Sequence, residues 1–128
     1  MLKNFPASKG KKNTVQEDKK TMNNLNSLII EGKAEIKETQ KFANGSTCTV
    51  LNLTSERKIQ KDESEISFFS VYTYGKMAEV LEKTLKNSSR DIRIVGRIKQ
   101  NRFKDTEGKS HSELVIIAEH IEIKKGTE

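Results

Sequence analysis

The sequence has few aromatic residues, one proline and one cysteine. Its 128 residues include five Phe, two Tyr and no Trp. Cys48 cannot form an internal disulfide, which excludes a disulfide-stapled secreted domain and favours a reducing compartment. No apolar run approaches the roughly 20 residues that span a bilayer, and no signal-peptide segment follows Met1. We therefore expect a soluble cytoplasmic protein that does not contact membranes.

The motifs of metal sites and enzymes are also missing. His111 and His120 are not spaced as a ligand pair, and Cys48 has no neighbour of ligand type, so no metal is expected. No glycine-rich loop ends in Lys-Ser/Thr, the sequence that cradles nucleotide phosphates. The carboxylates of residues 56–65 lie in a charged segment without the apolar pocket that tunes a general acid. We predict a protein that is not an enzyme and needs no cofactor.

Charge, by contrast, is abundant and unevenly distributed. Charged and hydrophobic residues each make up 33% of the chain, and the net charge is +6. Residues 1–22 hold six lysines against two acidic residues, so four of those net positive charges lie there. This segment has no apolar period, and we predict that residues 1–22 are a disordered basic extension. Such an arm either aids solubility or attracts anions, and it does not by itself establish nucleic-acid binding.

From residue 23 onward, short β-type runs alternate with polar turns, as expected for one domain over residues 23–124. The pattern predicts strands at 25–31, 47–54, 66–74, 92–103 and 113–123, and a mobile loop at 56–65. A helix is predicted over 76–86, with a core-facing stripe of Met77, Val80, Leu81, Thr84 and Leu85. This layout predicts an all-β fold with one short helix: an OB-fold, a five-stranded Greek-key barrel that typically binds oligonucleotides.

The third predicted strand concentrates the aromatic residues, since FFSVYTY (68–74) contains four of the seven. Side chains alternate along a strand, so Phe69, Val71 and Thr73 are predicted to face the barrel interior. The opposite face then carries Phe68, Ser70, Tyr72 and Tyr74. Three aromatic rings interrupted by a serine are an unusual composition for a strand face that only packs in the core.

The fourth predicted strand has a matching pattern. Its aliphatic face is Ile92, Ile94, Gly96 and Ile98, and the opposite face carries cations and a ring: Arg93, Val95, Arg97, Lys99, Asn101 and Phe103. Unpaired bases stack on such rings at roughly 1–3 kcal/mol each while cations follow the phosphates. A single exposed ring could instead cover a subunit interface or the barrel rim. The agreement of two strands favours a surface that binds single-stranded nucleic acid.

Four segments resemble the bacterial single-stranded DNA-binding protein (SSB) family. LNSLIIEGK is similar to its first strand, and SFFSVYTYGKMAEVLEKTLK is similar to its third strand and helix. DIRIVGRIKQNRFKDTEGK resembles strand four with its hairpin, and SELVIIAEHIEI resembles the last strand. The resemblance covers about residues 24–123. It implies a homotetramer that binds single-stranded DNA without sequence specificity in DNA replication, recombination and repair, in the bacterial cytoplasm at the nucleoid.

The resemblance also assigns site residues by motif position. It implies that bases stack on Phe68, Tyr74 and Phe103, of which the first and last replace tryptophans common in the family. A further family aromatic falls near Arg57 and Lys58, where a cation replaces the ring. The other implied phosphate contacts are Lys76, which matches a family lysine near the DNA path, and Lys33, Lys41, Arg97, Lys99 and Arg102.

The sequence departs from the family pattern at three places and leaves two alternatives open. The segment AEIKETQKFANG is shorter than the family's loop after strand one and lacks its common Asp-Pro-Glu. The turn NSSR replaces the usual Lys-Gly, which removes a basic turn residue but adds Arg90. Residues 125–128 are expected to be a short C-terminal end without the acidic tail that recruits replication and repair proteins, which remain candidate partners. The alternatives are an RNA-binding OB module and an SSB-like primosome or protein-interaction adapter. The cations Arg97 and Lys99 near Phe103 argue against the adapter, because protein interface cores are depleted in charge.

Overall fold

A computed structural model describes residues 23–124, which form a five-stranded barrel with one helix. The elements are β1 Leu28–Lys41, β2 Thr47–Gln60, β3 Glu63–Tyr74, α1 Gly75–Thr84, β4 Arg90–Lys104 and β5 Ser110–Ile123. The barrel closes in the order β1-β2-β3-β5-β4, with β3 and β5 parallel and the other pairs antiparallel. This topology confirms the predicted OB-fold. The terminal segments 1–22 and 125–128 lie outside the described residues.

The inner faces of the strands form one apolar core. Its largest fully buried side chains come from three strands and from the residue that follows α1: Leu51, Leu53, Val71, Ile92, Ile94 and Leu85. Three buried threonines lie among them, and two of them donate hydrogen bonds to carbonyl oxygens. Thr49 Oγ1 donates to the Ala78 carbonyl of α1 at 3.0 Å, and Thr73 Oγ1 donates to the Thr49 carbonyl at 2.8 Å. These bonds satisfy the two hydroxyl groups, and the first of them attaches the helix to β2.

The helix packs against the barrel with a face that differs in part from the predicted stripe. Ala78, Leu81 and Leu85 are buried, and Met77 packs partly against the core. Val80 is 49% exposed, so its predicted core position is wrong. The small Ala78 occupies the contact with β2 because it allows the helix backbone to come close to Thr49. Within residues 23–124, no helix has the length and apolar character that crossing a bilayer requires.

The strands run further than their apolar patterns predict. Residues 56–65, predicted to be a mobile loop, form the end of a β2–β3 hairpin in which Arg57 pairs with Glu65 and Lys58 with Ser64. β1 likewise continues to Lys41, through residues predicted to be a loop. Antiparallel strands pair through backbone groups, so polar side chains exposed on both faces do not prevent a hairpin. The apolar pattern marks only the part of each strand that belongs to the barrel.

Gly96 sits where two strands come too close for a side chain. A Cβ atom at this position would collide with the Ile117 carbonyl oxygen of β5. A register shift next to it, between Val95 and Gly96, adds one residue to β5. Gly96 therefore fixes how β4 lies against β5 before the two strands leave the barrel as a long hairpin, here called the β4–β5 arm (residues 98–116).

Candidate nucleic-acid interface

The alternation predicted for β3 is confirmed by the burial of its side chains. Val71 and Thr73 are fully buried, and Phe69 packs partly against the core. On the opposite face, the rings of Phe68 and Tyr74 are 75% and 48% exposed. The two residues lie six positions apart on one extended strand, so their backbones are separated by roughly 20 Å. This face of β3 therefore presents two separate rings to solvent.

Between those rings, the outer surface of the barrel has an apolar floor. Val50, Tyr72, Ile117 and Arg97 are aligned across β2, β3, β5 and β4 by the strand register. Val50 and Ile117 are buried although they face outward, as are Cys48 and Val115. Paired residues on neighbouring strands have Cβ atoms about 5 Å apart, so Tyr72 packs within this floor. Tyr72 is half-buried for that reason and is less available to a ligand than Phe68.

The alternation of β3 and β4 alone does not predict this floor. The signal for it was the uninterrupted run Val115–Ala118, in which every side chain is buried. Strands that are buried on both faces read as continuous apolar runs, whereas strands buried on one face alternate. The run therefore indicates that part of the outer surface is covered by its own side chains.

The cations of β4 lie on the same face as its aromatic residue. Arg97 and Lys99 are exposed and share the outward alternation with Phe103, which is 48% exposed. Arg97 Nη1 is 3.1 Å from Glu119 Oε2, an ion pair that holds the guanidinium beside the apolar floor. Ile98 was predicted to lie on the buried face, but it is 43% exposed because the β4–β5 arm leaves the barrel there.

Two other predicted cations lie near the remaining rings. Lys33 of β1 pairs with Thr54 of β2, which in turn pairs with Phe68. Lys33 Nζ is 3.7 Å from Asp91 Oδ1, and both side chains are largely exposed. Lys76 is exposed at the start of α1, two residues after Tyr74. Gly75 between them has a φ of 68°, a left-handed conformation that glycine adopts without strain.

The structure does not place all the predicted cations on the ring-bearing face. On β2, Lys58 has the same alternation as Thr54 and therefore lies on the Phe68 side of the hairpin. Arg57 lies on the opposite side, where it lines a groove with Phe69. Arg102 likewise points away from its neighbour Phe103 and donates from Nη2 to Gln100 Oε1 at 2.8 Å. The family resemblance predicted the positions of these cations along the chain. The alternation of side chains along each strand decides whether a cation lies on the ring-bearing side of its hairpin.

The match to a protein-family model covers the whole barrel. The model of the single-strand binding protein family matches residues 25–124, which include every strand and the helix. The chain belongs to the single-strand binding protein family. It is therefore a non-enzymatic protein that binds single-stranded DNA. A comparison with curated proteins finds no match.

Three acidic side chains on the outer face of this single-strand binding protein, two phenols and one thiol, are neutral near the rings. Burial is the main cause that raises the pKa of Tyr72, Tyr74 and Cys48 above their usual values. A hydrogen bond between Cys48 and Tyr74 partly offsets the shift of the thiol. At neutral pH neither phenol nor thiol carries a negative charge that would repel a phosphate. The described residues contain no group of three or more His, Cys, Asp or Glu side chains arranged to hold a metal ion.

Proposed function

We propose that the protein coats single-stranded DNA by stacking unpaired bases on Phe68, Tyr74 and Phe103. The observation that carries this proposal is the exposure of Phe68, which is 75% while its neighbour Phe69 packs toward the core. A phenyl ring so exposed contributes little to the fold of the single chain. Stacking requires no base-specific hydrogen bond, so binding of this kind is independent of sequence.

The phosphates of the bound strand are attracted by cations beside the rings. Lys33 and Lys58 serve the Phe68 region, Lys76 serves Tyr74, and Arg97 and Lys99 lie along β4 toward Phe103. Arg57 and Arg102 lie on the sides of the β2–β3 hairpin and the β4–β5 arm that are opposite the rings. They are proposed to contact phosphates where the DNA passes around these hairpins. Because these contacts release counterions, affinity is expected to fall steeply with salt.

We further propose that the protein works as a homotetramer in DNA replication, recombination and repair, in the cytoplasm of a bacterium at the nucleoid. Support for association comes from β1, where Ile29 is 69% exposed although it is a large apolar side chain. β1 is the proposed contact between subunits. Light scattering at micromolar concentration is expected to give four times the mass of the chain, and a monomer would contradict this part of the proposal.

The function is tested by titrating the protein into end-labelled oligo-dT, a DNA duplex of equal length, and oligo-U, at several salt concentrations. Tight, salt-sensitive binding to oligo-dT with weak binding to the duplex is expected. Equal binding to single strand and duplex would show attraction by positive charge alone, and would remove the rings from the mechanism. Tighter binding to oligo-U than to oligo-dT would assign the surface to RNA.

A further inference from the structure

The tip of the β4–β5 arm holds an arrangement of three side chains that the family assignment does not account for. Phe103 of β4 and His111 of β5 are register partners. Their rings are stacked, with centroids 5.5 Å apart and planes inclined by 24°. His111 Nε2 lies 2.8 Å from Asp105 Oδ2 in the connecting turn. The ring pair is the single aromatic stack found among residues 23–124.

Asp105 holds both the turn and the imidazole. Its Oδ1 accepts hydrogen bonds from the backbone N–H groups of Glu107 and Lys109, at 2.8 and 2.9 Å. Its Oδ2 faces His111 Nε2, so the imidazole donates from that nitrogen. The hydrogen bond with His111 is the largest cause that lowers the pKa of Asp105, and the carboxylate is therefore charged at neutral pH. The hydrogen bond from His111 Nε2 to Asp105 restricts the rotation of the imidazole ring.

A fixed imidazole in turn restricts the ring that it contacts. Phe103 has one face against His111 and remains 48% exposed, which leaves aromatic surface open to a base. A side chain already held in its binding conformation loses less freedom when a ligand arrives, so binding is tighter. Electrostatics alone would disfavour Asp105 at this place, because a carboxylate repels phosphate. Its contacts with His111 and the turn give it a different role.

We propose that His111 is a positioning residue for single-stranded DNA, which backs the ring of Phe103 as a stacking platform while Asp105 holds it in place. This inference rests on the proposed stacking of a base on Phe103.

Two substitutions at His111 separate its ring from its hydrogen bond. His111→Gln can still donate to Asp105 but has no ring, and His111→Phe keeps a ring but cannot donate. With labelled oligo-dT, His111→Gln is expected to bind about two- to tenfold more weakly, the range of one aromatic pair. His111→Phe is expected to recover part of that loss, because it restores the ring but not the hydrogen bond to Asp105. The salt dependence should be unchanged in both, since no phosphate contact is lost. Wild-type affinity in His111→Gln, or equal loss in both variants, would overturn the proposal.

The role of Asp105 is tested against a matched change of charge. Asp105→Ser keeps a short acceptor for the turn but cannot hold the imidazole, and Glu107→Gln removes one negative charge from the same exposed turn. If charge alone acted, both variants would bind DNA more tightly. We expect Asp105→Ser to bind more weakly and Glu107→Gln to bind at least as tightly as wild type. Tighter binding by both would overturn the role of Asp105.

Phe103→Ala distinguishes failure of this inference from failure of the proposed function. If Phe103→Ala binds oligo-dT like wild type, the proposed stacking at this residue is wrong. If Phe103→Ala weakens binding and His111→Gln does not, only the positioning role fails. The chain has no tryptophan, so Phe103→Trp also provides a single fluorescent reporter. Adding His111→Gln should lower its fluorescence anisotropy in the free protein, and an unchanged value would contradict restriction by His111.

Discussion

At the scale of single residues, the exposure of a ring identifies its role better than its residue type does. Phe68 and Phe69 are adjacent and chemically identical, yet one is 75% exposed and the other packs against the core. Tyr72 and Tyr74 differ in a similar way, because Tyr72 belongs to the apolar floor of the outer face. The sequence predicted the sides of all four side chains. It did not predict how far each one would be covered.

Phe68→Ala is expected to weaken binding to oligo-dT by about 1–3 kcal/mol, the usual value for one stacked base. The free energy of unfolding should change little because the ring is exposed. The matched control is Phe42→Ala, which removes another exposed ring from the turn between β1 and β2. Phe42 lies nine residues after Lys33, whose cross-strand row contains Phe68, so it is roughly 30 Å from that row along the strand. Equal losses in both variants would show that Phe68 has no special role.

The thiol of Cys48 should react slowly in the native protein. It is 4% exposed, and burial raises its pKa above the ordinary value of 9.0. The neutral thiol is thus favoured in the folded state, so its contribution to stability is complete below pH 9 and is lost as pH rises through the raised pKa. Reaction with a thiol reagent at pH 8 should be far slower than in denaturant. Equal rates in the two conditions would mean that the thiol is accessible.

At the scale of elements, the two hairpins extend the binding face beyond the barrel. The β2–β3 hairpin carries Lys58 and Phe68, and the β4–β5 arm carries Lys99 and Phe103. Their outer parts have no core to pack against, so their order depends on backbone pairing and on surface contacts such as the stack on His111. Apolar patterns indicate burial. For this reason they predicted neither the length of the β2–β3 hairpin nor the exposure of Ile98.

A prediction at this scale concerns the charge on the outward face of β4. Lys99→Gln should reduce the magnitude of the slope of log affinity against log salt by about 0.7, because one phosphate contact with single-stranded DNA is lost. Lys83→Gln removes the same charge from an exposed position on α1 and should leave the slope unchanged. Titrations of oligo-dT at four or more salt concentrations measure both slopes. The same change in both variants would indicate an effect of total charge only.

At the scale of the whole molecule, most of the net positive charge and the proposed stacking rings lie on different parts of the chain. Residues 1–22 carry four of the six net positive charges, whereas the rings of the proposed interface all belong to the barrel. The mechanism therefore predicts two separable contributions: an attraction that any nucleic acid experiences and a preference for unpaired bases.

Deletion of residues 1–22 is expected to weaken binding to oligo-dT and to duplex DNA by similar factors at low salt. The preference for the single strand should remain, since Phe68, Tyr74 and Phe103 are retained. Parallel titrations of the full and shortened chains with both ligands measure the ratio of affinities. Loss of the preference in the shortened chain would assign discrimination to the N-terminal segment rather than to the barrel.

The sequence by itself determined the local alternation and the family. Phe69, Val71 and Thr73 face inward and Phe68 and Tyr74 outward because a strand has a period of two, which can be read from seven residues. The family motifs then assigned positions for the stacking rings and the cations. These features depend on neighbours along the chain, and local backbone geometry is enough to predict them.

Only the tertiary structure decided which strands are neighbours and where each ends. The parallel pairing of β3 with β5 places Tyr72 beside Ile117, and that contact buries an outward face that would otherwise be open. The β4–β5 pairing brings Phe103 onto His111, while alternation in the hairpins turns Arg57 and Arg102 away from the rings. Such contacts join residues distant in sequence through the register of the barrel. No period along a single strand encodes that register.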